Sequence, residues 1–87
     1  MEYNPLPARN PRTRLVTLLT ELQDRLNQSK TRDELVQKSR IANQLMTDLS
    51  LPIRVSATKD GAKINLGYTK EIYEPQLREL AVFVDEI

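Results

Sequence analysis

A two-residue turn signal at Asp60-Gly61 limits what this chain can fold into more than any other feature of its sequence. Asp-Gly favours the tight type I′ turn that joins two antiparallel strands. Apolar and polar residues alternate on both sides of it, which is the pattern of strands with one buried face. We therefore predict a β-hairpin whose apolar side chains share one face. The predicted cross-strand pairs are Ala57–Ile64, Val55–Leu66 and Ile53–Tyr68.

The sequence before the hairpin begins with an arm and a helix. Residues 1–10 contain two prolines and no periodic pattern, so we expect an extended arm there. Asn10 followed by Pro11 is a typical helix start, with asparagine as the N-cap and proline at the first helical position. The first helix is predicted over about 11–28. Its apolar stripe has helical spacing and consists of Leu15, Leu18, Leu19, Leu22 and Leu26.

A capping box predicts that a second helix starts almost at once. The Thr31 hydroxyl is expected to accept from the amide of Glu34, whose carboxylate reaches back to the cap. Pro52 ends the pattern, so this helix is predicted to run to about Ser50. Lys38 lies among its apolar positions, where we expect the side chain to extend past the core to water. The apolar stripe is Leu35, Ile41, Ala42, Leu45, Met46 and Leu49.

A third helix follows the hairpin, with Pro75 in its first turn. The link between the first two helices, Ser29-Lys30, is short enough to fold them back as an antiparallel helical hairpin. The predicted fold class is α+β, a single small domain over 11–87 with the order α-α-β-β-α. Two strands alone are marginally stable, so we expect the helices to pack against the β-hairpin. The third apolar stripe is Leu77, Leu80, Ala81, Val84 and Ile87.

Composition excludes most catalytic chemistry. The 87 residues include no cysteine, no histidine and only two glycines. A thiolate nucleophile, an imidazole base or ligand, and a phosphate-binding glycine loop therefore have no residues to form them. We expect no enzyme activity, no cofactor, no bound metal and no small-molecule substrate. The weakest alternative, a hydrolase or transferase, would use a pocket formed by Tyr68, Lys70, Glu71 and Tyr73.

Charge is distributed unevenly along the chain. The totals of 13 Lys+Arg and 12 Asp+Glu give a formal net charge of +1. Residues 1–70 contain 12 basic and 7 acidic side chains, a net of +5, whereas residues 71–87 contain 1 basic and 5 acidic ones, a net of −4. The near-neutral total therefore hides two oppositely charged segments.

Two groups of residues are candidate contacts for an anion or a nucleic acid. A helix dipole disfavours cations at its N-terminus, so arginines at the start of the first helix call for compensation. Arg12 and Arg14 could meet acids of the third helix or extend into water, or a phosphate or acidic protein could bind from outside. The polar side of the β-hairpin is either a solvated sheet face or a basic ribbon that touches nucleic acid. The first group is Arg9, Arg12 and Arg14, and the second is Arg54, Lys59, Lys63 and Asn65.

The order helix, helix, hairpin resembles that of winged-helix DNA-binding domains. Thr31–Leu49 would supply the helices, and the hairpin that turns at Asp60-Gly61 would be the wing. The resemblance implies a nucleic-acid-binding regulator that uses the arginines and the basic hairpin face. The sequence departs from the family's pattern, because Thr31–Leu49 contains no glycine or proline to form the sharp turn between two short helices.

Two function classes follow from the sequence. The first is a non-catalytic regulatory or protein–protein interaction module that self-associates as a homodimer, through hairpin edges or helix surfaces. The second is the nucleic-acid-binding regulator. The longest apolar run, Leu80 to Val84, is far shorter than the ~20 residues that a membrane span requires. The N-terminus also lacks the pattern of a signal peptide, so we expect a cytoplasmic protein without membrane contact.

Overall fold

The structure, a computed structural model, describes residues 9–68 and 71–87. The α+β class and the order α-α-β-β-α are confirmed. Most of the arm expected over 1–10 lies outside the described residues. The elements are α1 (Pro11–Asn27), α2 (Arg32–Asp48), β1 (Ile53–Thr58), β2 (Gly61–Leu66) and α3 (Glu74–Glu86).

α1 begins at the predicted residue, but the predicted side-chain cap is wrong. Pro11 occupies the first helical position, as expected. Asn10 adopts a left-handed backbone with φ 46°, and its side chain makes no capping hydrogen bond. Its carbonyl accepts from the amide of Arg14 at 3.1 Å. Asparagine tolerates the left-handed region better than most residues, so here it serves the entry of the chain into the helix.

The start of α2 confirms half of the predicted capping box. The Glu34 amide donates to the Thr31 hydroxyl at 3.1 Å. The Glu34 carboxylate, however, accepts from the amide of Lys30, one residue before the cap. It also pairs with Lys38, whose Nζ lies 3.0 Å away. Both bonds lower the pKa of Glu34, and the bond from Lys38 has the larger effect.

The face that α2 buries differs from the predicted stripe at two positions. Its buried residues are Leu35, Ser39, Ala42 and Met46, which recur at helical spacing. Ile41 lies beside this stripe and is 56% exposed, so its predicted burial is wrong. Ser39 takes a core position, although its polar side chain gave no reason to expect burial there.

The β-hairpin is confirmed, but its predicted register is wrong. The turn residues are Lys59 and Asp60, and Gly61 is the first residue of β2. This shifts each pair by two residues and leaves the same side chains on the apolar face, because the side-chain period of a strand is two. Tyr68 lies beyond β2 and is 84% exposed. The observed pairs are Ile53–Leu66, Arg54–Asn65, Val55–Ile64, Ser56–Lys63, Ala57–Ala62 and Thr58–Gly61.

Gly61 is needed for its position beside α1 as well as for the turn. Its φ of 124° lies in a region that side chains with a Cβ rarely adopt. A Cβ at this position would also collide with the side-chain oxygen of Asn27. Both the backbone angle and the neighbouring Asn27 therefore favour glycine at this position.

The helices form a layer on the apolar face of the β-hairpin. α1 packs mainly on β2 and α3, whereas α2 packs mainly on β1. Gln76 joins the start of α3 to the end of α2. Its side chain accepts from the Tyr73 amide at 2.8 Å and donates to the Leu49 carbonyl at 2.7 Å. The largest fully buried side chains are Leu15, Leu22, Leu26, Met46, Leu77, Leu80 and Val84.

We predict that Gly61→Ala lowers the free energy of unfolding by about 2 kcal/mol, because alanine is strained at this φ and meets Asn27. Urea denaturation followed by circular dichroism would measure the loss. Lys59→Ala, an exposed change in the same turn, should alter stability by less than about 0.5 kcal/mol. Equal effects of the two substitutions would contradict this account of the turn.

Candidate functional site

The two predicted basic groups lie in different layers of the fold. Arg12 and Arg14 are exposed on the first turn of α1, directly after Arg9 and Asn10. The exposed residues Arg54, Lys63 and Asn65 lie on the polar face of the β-hairpin, opposite the helices, and Lys59 lies in the turn. The two predicted groups therefore stay separate: Arg9, Arg12 and Arg14 do not join the basic face of the hairpin.

Arg14 is paired with an acid of α3. Its guanidinium donates two bonds to the Glu74 carboxylate, and the Nη2–Oε2 distance is 3.0 Å. The hydrogen bond from Arg14 lowers the pKa of Glu74, and the same bond raises the pKa of Arg14. For Arg14, the structure therefore shows a partner within the chain, an acid of the third helix. The pair also offsets the unfavourable dipole at the start of α1.

The polar face of the β-hairpin carries two cations. Arg54 lies opposite Asn65, and Ser56 lies opposite Lys63. This arrangement can contact an anion, but it offers no aromatic ring on which a base could stack.

Helix side chains cover the outer edge of β1 at Val55 and near the turn. Asn43 of α2 bonds both backbone groups of Val55, donating to the carbonyl and accepting from the amide at 2.7 Å each. The Arg32 guanidinium donates to the carbonyls of Ala57 and Thr58. In the described structure, no two successive outward-facing residues of β1 remain open.

The outer edge of β2 is covered only near the turn. Asn27 accepts from the Ala62 amide at 2.8 Å, and Gln23 donates to the Ala62 carbonyl at 2.9 Å. Both amides lie on the polar side of α1, opposite its apolar stripe, so the helical spacing alone gives no reason to expect contact with a strand. They are short polar side chains one helical turn apart, which places both beside the strand.

Further along β2, the backbone groups of Ile64 and Leu66 point outward and are open. Direction alternates along a strand, so both residues face the same way as Ala62. The pairing supports this, because Val55 lies opposite Ile64 and directly opposite residues of antiparallel strands both face inward or both face outward. The Val55 groups face outward, since Asn43 bonds them from α2. Within 9–68 and 71–87, no other group bonds these outward amides and carbonyls.

The difference between covered and open parts of β2 comes from one stripe of α1. Val16, Thr20, Gln23 and Asn27 recur at helical spacing along this edge. Where this stripe carries the side-chain amides of Gln23 and Asn27, they bond the backbone of β2. Thr20 instead donates to the Val16 carbonyl of its own helix at 2.9 Å, and Val16 has no polar group in its side chain. Ile64 and Leu66 therefore receive no bond from α1.

A shallow apolar groove of about 190 Å³ runs beside this open edge. Val16 is 46% exposed there. The groove contains no charged side chain among its lining residues. Open backbone groups beside an uncharged groove can accept an extended polypeptide. The lining residues are Val16, Leu19, Thr20, Gln23, Ile64 and Leu66.

Of the four residues named for the weakest alternative, an enzyme pocket, the structure brings two into contact. The Tyr73 hydroxyl donates to Glu71, which raises the pKa of Tyr73. Tyr68 is mostly exposed, and Lys70 lies outside the described residues. Among the residues that are described, no three acidic side chains converge on a metal position. No helix in this part of the chain has the length and apolar content to cross a membrane.

Comparisons with protein-family models, with curated proteins and with solved structures find no match to this chain. The winged-helix resemblance therefore rests on the order of elements alone. In the structure, α2 is one continuous helix from Arg32 to Asp48, where that family has two short helices and a turn.

We predict that Asn43→Ala lowers the free energy of unfolding by about 2 kcal/mol, since it removes both bonds to Val55 at a part-buried position. Urea denaturation would measure this loss. Gln44→Ala removes an exposed amide from the next position of α2 and should cost less than about 0.5 kcal/mol. A negligible effect of Asn43→Ala would show that this edge does not need its cover.

We also predict that the Arg14–Glu74 pair makes stability depend on acid. Because folding lowers the pKa of Glu74, its contribution is present above the unfolded value and is lost as pH falls through the folded one. Glu74→Gln should therefore be less stable than wild type at pH 7, and the difference should shrink below about pH 4.

Urea midpoints across a pH series would check this, with Glu79→Gln as a control at an exposed acid of the same helix. A constant difference between wild type and Glu74→Gln at every pH would contradict the role of the pair.

Proposed function

We propose that this protein is a non-catalytic regulatory or protein–protein interaction module that binds another polypeptide as an added strand of its sheet. The observation that carries this proposal is the open edge of β2 at Ile64 and Leu66. Ala62 on the same edge and Val55 on the opposite one are fully bonded by side chains. In the described sheet, Ile64 and Leu66 are therefore the only two successive outward-facing residues whose backbone amides and carbonyls both stay open.

Strand addition uses both parts of this site. The incoming backbone would bond the outward groups of Ile64 and Leu66, which supplies affinity. Alternate side chains of an added strand point toward the helix layer, so they would enter the groove beside Val16. An uncharged lining favours a strand with apolar residues at those positions. The partner chemistry is thus an extended segment with alternating apolar side chains.

The alternative of a nucleic-acid-binding regulator has less support. Arg14 is already bonded to Glu74, and the hairpin face carries two cations in another layer. Proteins that bind nucleic acids through charge usually neutralise several phosphates along one surface. We also propose that the protein is cytoplasmic, as the sequence predicts.

We predict that linear peptides selected from a random phage-displayed library will bind the immobilised wild-type chain at this edge. Val16→Glu places a charge in the groove and should weaken their binding at least about tenfold, or 1.4 kcal/mol. Surface plasmon resonance with synthetic versions of the selected peptides would measure the change.

Val82→Glu is the matched control, because Val82 is also a half-exposed helical valine but lies on α3. It should bind the peptides like wild type. The proposal is wrong if the library yields no binder that distinguishes Val16→Glu from Val82→Glu.

A further inference from the structure

We propose that the strand accepted by β2 is β2 of a second copy of this chain, paired antiparallel about a two-fold axis at Asn65. This inference rests on the proposed function and names its partner. In this arrangement Ile64 of each copy lies opposite Leu66 of the other. The two hairpins then form one four-stranded sheet with a helix layer on one face.

The pattern of open and covered groups selects this register. A two-fold axis at Ile64 would pair Leu66 with Ala62, whose groups are already bonded by Asn27 and Gln23. An axis at Leu66 would pair Ile64 with Tyr68, which lies beyond the end of β2. Only the axis at Asn65 joins two open residues with two open residues. It forms two hydrogen-bonded pairs, each of which exchanges two bonds.

The length of the opening favours a second copy over a longer foreign strand. In this register Ala62 lies opposite residue 68 of the other copy, where β2 has already ended. The capping side chains Gln23 and Asn27 therefore face no residue of the other copy's β2. A longer foreign strand would continue toward Ala62 and collide with these amides or displace them.

Charge is also compatible with self-pairing at this edge. Lys63 of one copy lies opposite Gly67 of the other, so the two lysines do not face each other across the new pair of strands. The two groove linings carry no charge, and each presents a half-exposed Val16 to the added strand. Natural edges that resist pairing usually carry charges or proline at such positions.

Disulfide trapping tests the register directly, because the chain contains no cysteine of its own. At the axis, residue 65 of one copy would lie opposite residue 65 of the other in a non-hydrogen-bonded pair, with Cα atoms about 4.5 Å apart. That separation is within the range of a disulfide. Asn65→Cys should therefore form a covalent dimer in a mild glutathione redox buffer.

Lys63→Cys and Arg54→Cys are matched controls on the same exposed sheet face. In the proposed dimer, strand geometry separates each of these positions from its counterpart by more than about 10 Å, beyond disulfide reach. We expect the covalent dimer of Asn65→Cys to form at least about tenfold faster than either control. In concentrated urea, the three rates should become equal because the folded pairing is lost.

Sedimentation equilibrium of the wild type at high-micromolar concentration completes the test. A reversible dimer that is weakened by Val16→Glu and retained by Val82→Glu supports the inference. A monomer that still binds the selected peptides overturns the second copy as partner and leaves the proposed function standing. A monomer without peptide binding overturns both. A dimer in which the three cysteine variants cross-link equally fast overturns this register.

Discussion

Side-chain amides from two helices hold the two-stranded sheet, and the rest of the structure depends on these bonds. A hairpin pairs only half of its backbone groups internally, so the other half must find partners or face water. Asn43 supplies partners on β1, and Asn27 with Gln23 supplies them on β2. These bonds also fix where α1 and α2 lie along the strands. Apolar packing alone would allow the helices to slide, because it is not directional.

The same bonds explain why the candidate site lies where it does. α1 runs along the edge of β2, and its stripe changes from amides to Thr20 and Val16 part of the way along. The strand continues past that change, so Ile64 and Leu66 stay open while Ala62 is closed. The proposed binding edge is thus produced by an ordinary helix in which two positions lack a side-chain amide.

The sequence predicts the fold well where local information is sufficient. The starts of the helices at Pro11 and Thr31 and the faces of the two strands depend on neighbouring residues, and all are confirmed. The strand register is different, because a shift of two residues keeps every side chain on its face. The observed register is the one in which Asn27 and Gln23 bond Ala62, and no local pattern contains those bonds.

The site was harder to predict than the fold for a related reason. Charge belongs to a residue, so the sequence shows Arg14 and Arg54 at once. An open backbone group belongs to an assembly, and it becomes visible only when the partners of each amide are known. Gln23 and Asn27 are polar and lie opposite the apolar stripe, so the helical pattern alone favours water as their neighbour. Their contact with Ala62 could have been suspected only from two amides one turn apart on a helix beside a strand.

The side-chain bonds also suggest an order in which the protein folds. The bonds from Asn43 to Val55 join residues 12 apart, whereas those from Asn27 and Gln23 to Ala62 join residues 35 and 39 apart. The Arg14–Glu74 pair closes a separation of 60 residues. Because the entropy lost in closing a loop increases with its length, we expect α2 and the hairpin to associate first. α1 would then dock on β2, and the open edge would be the last part of the sheet to acquire its neighbour.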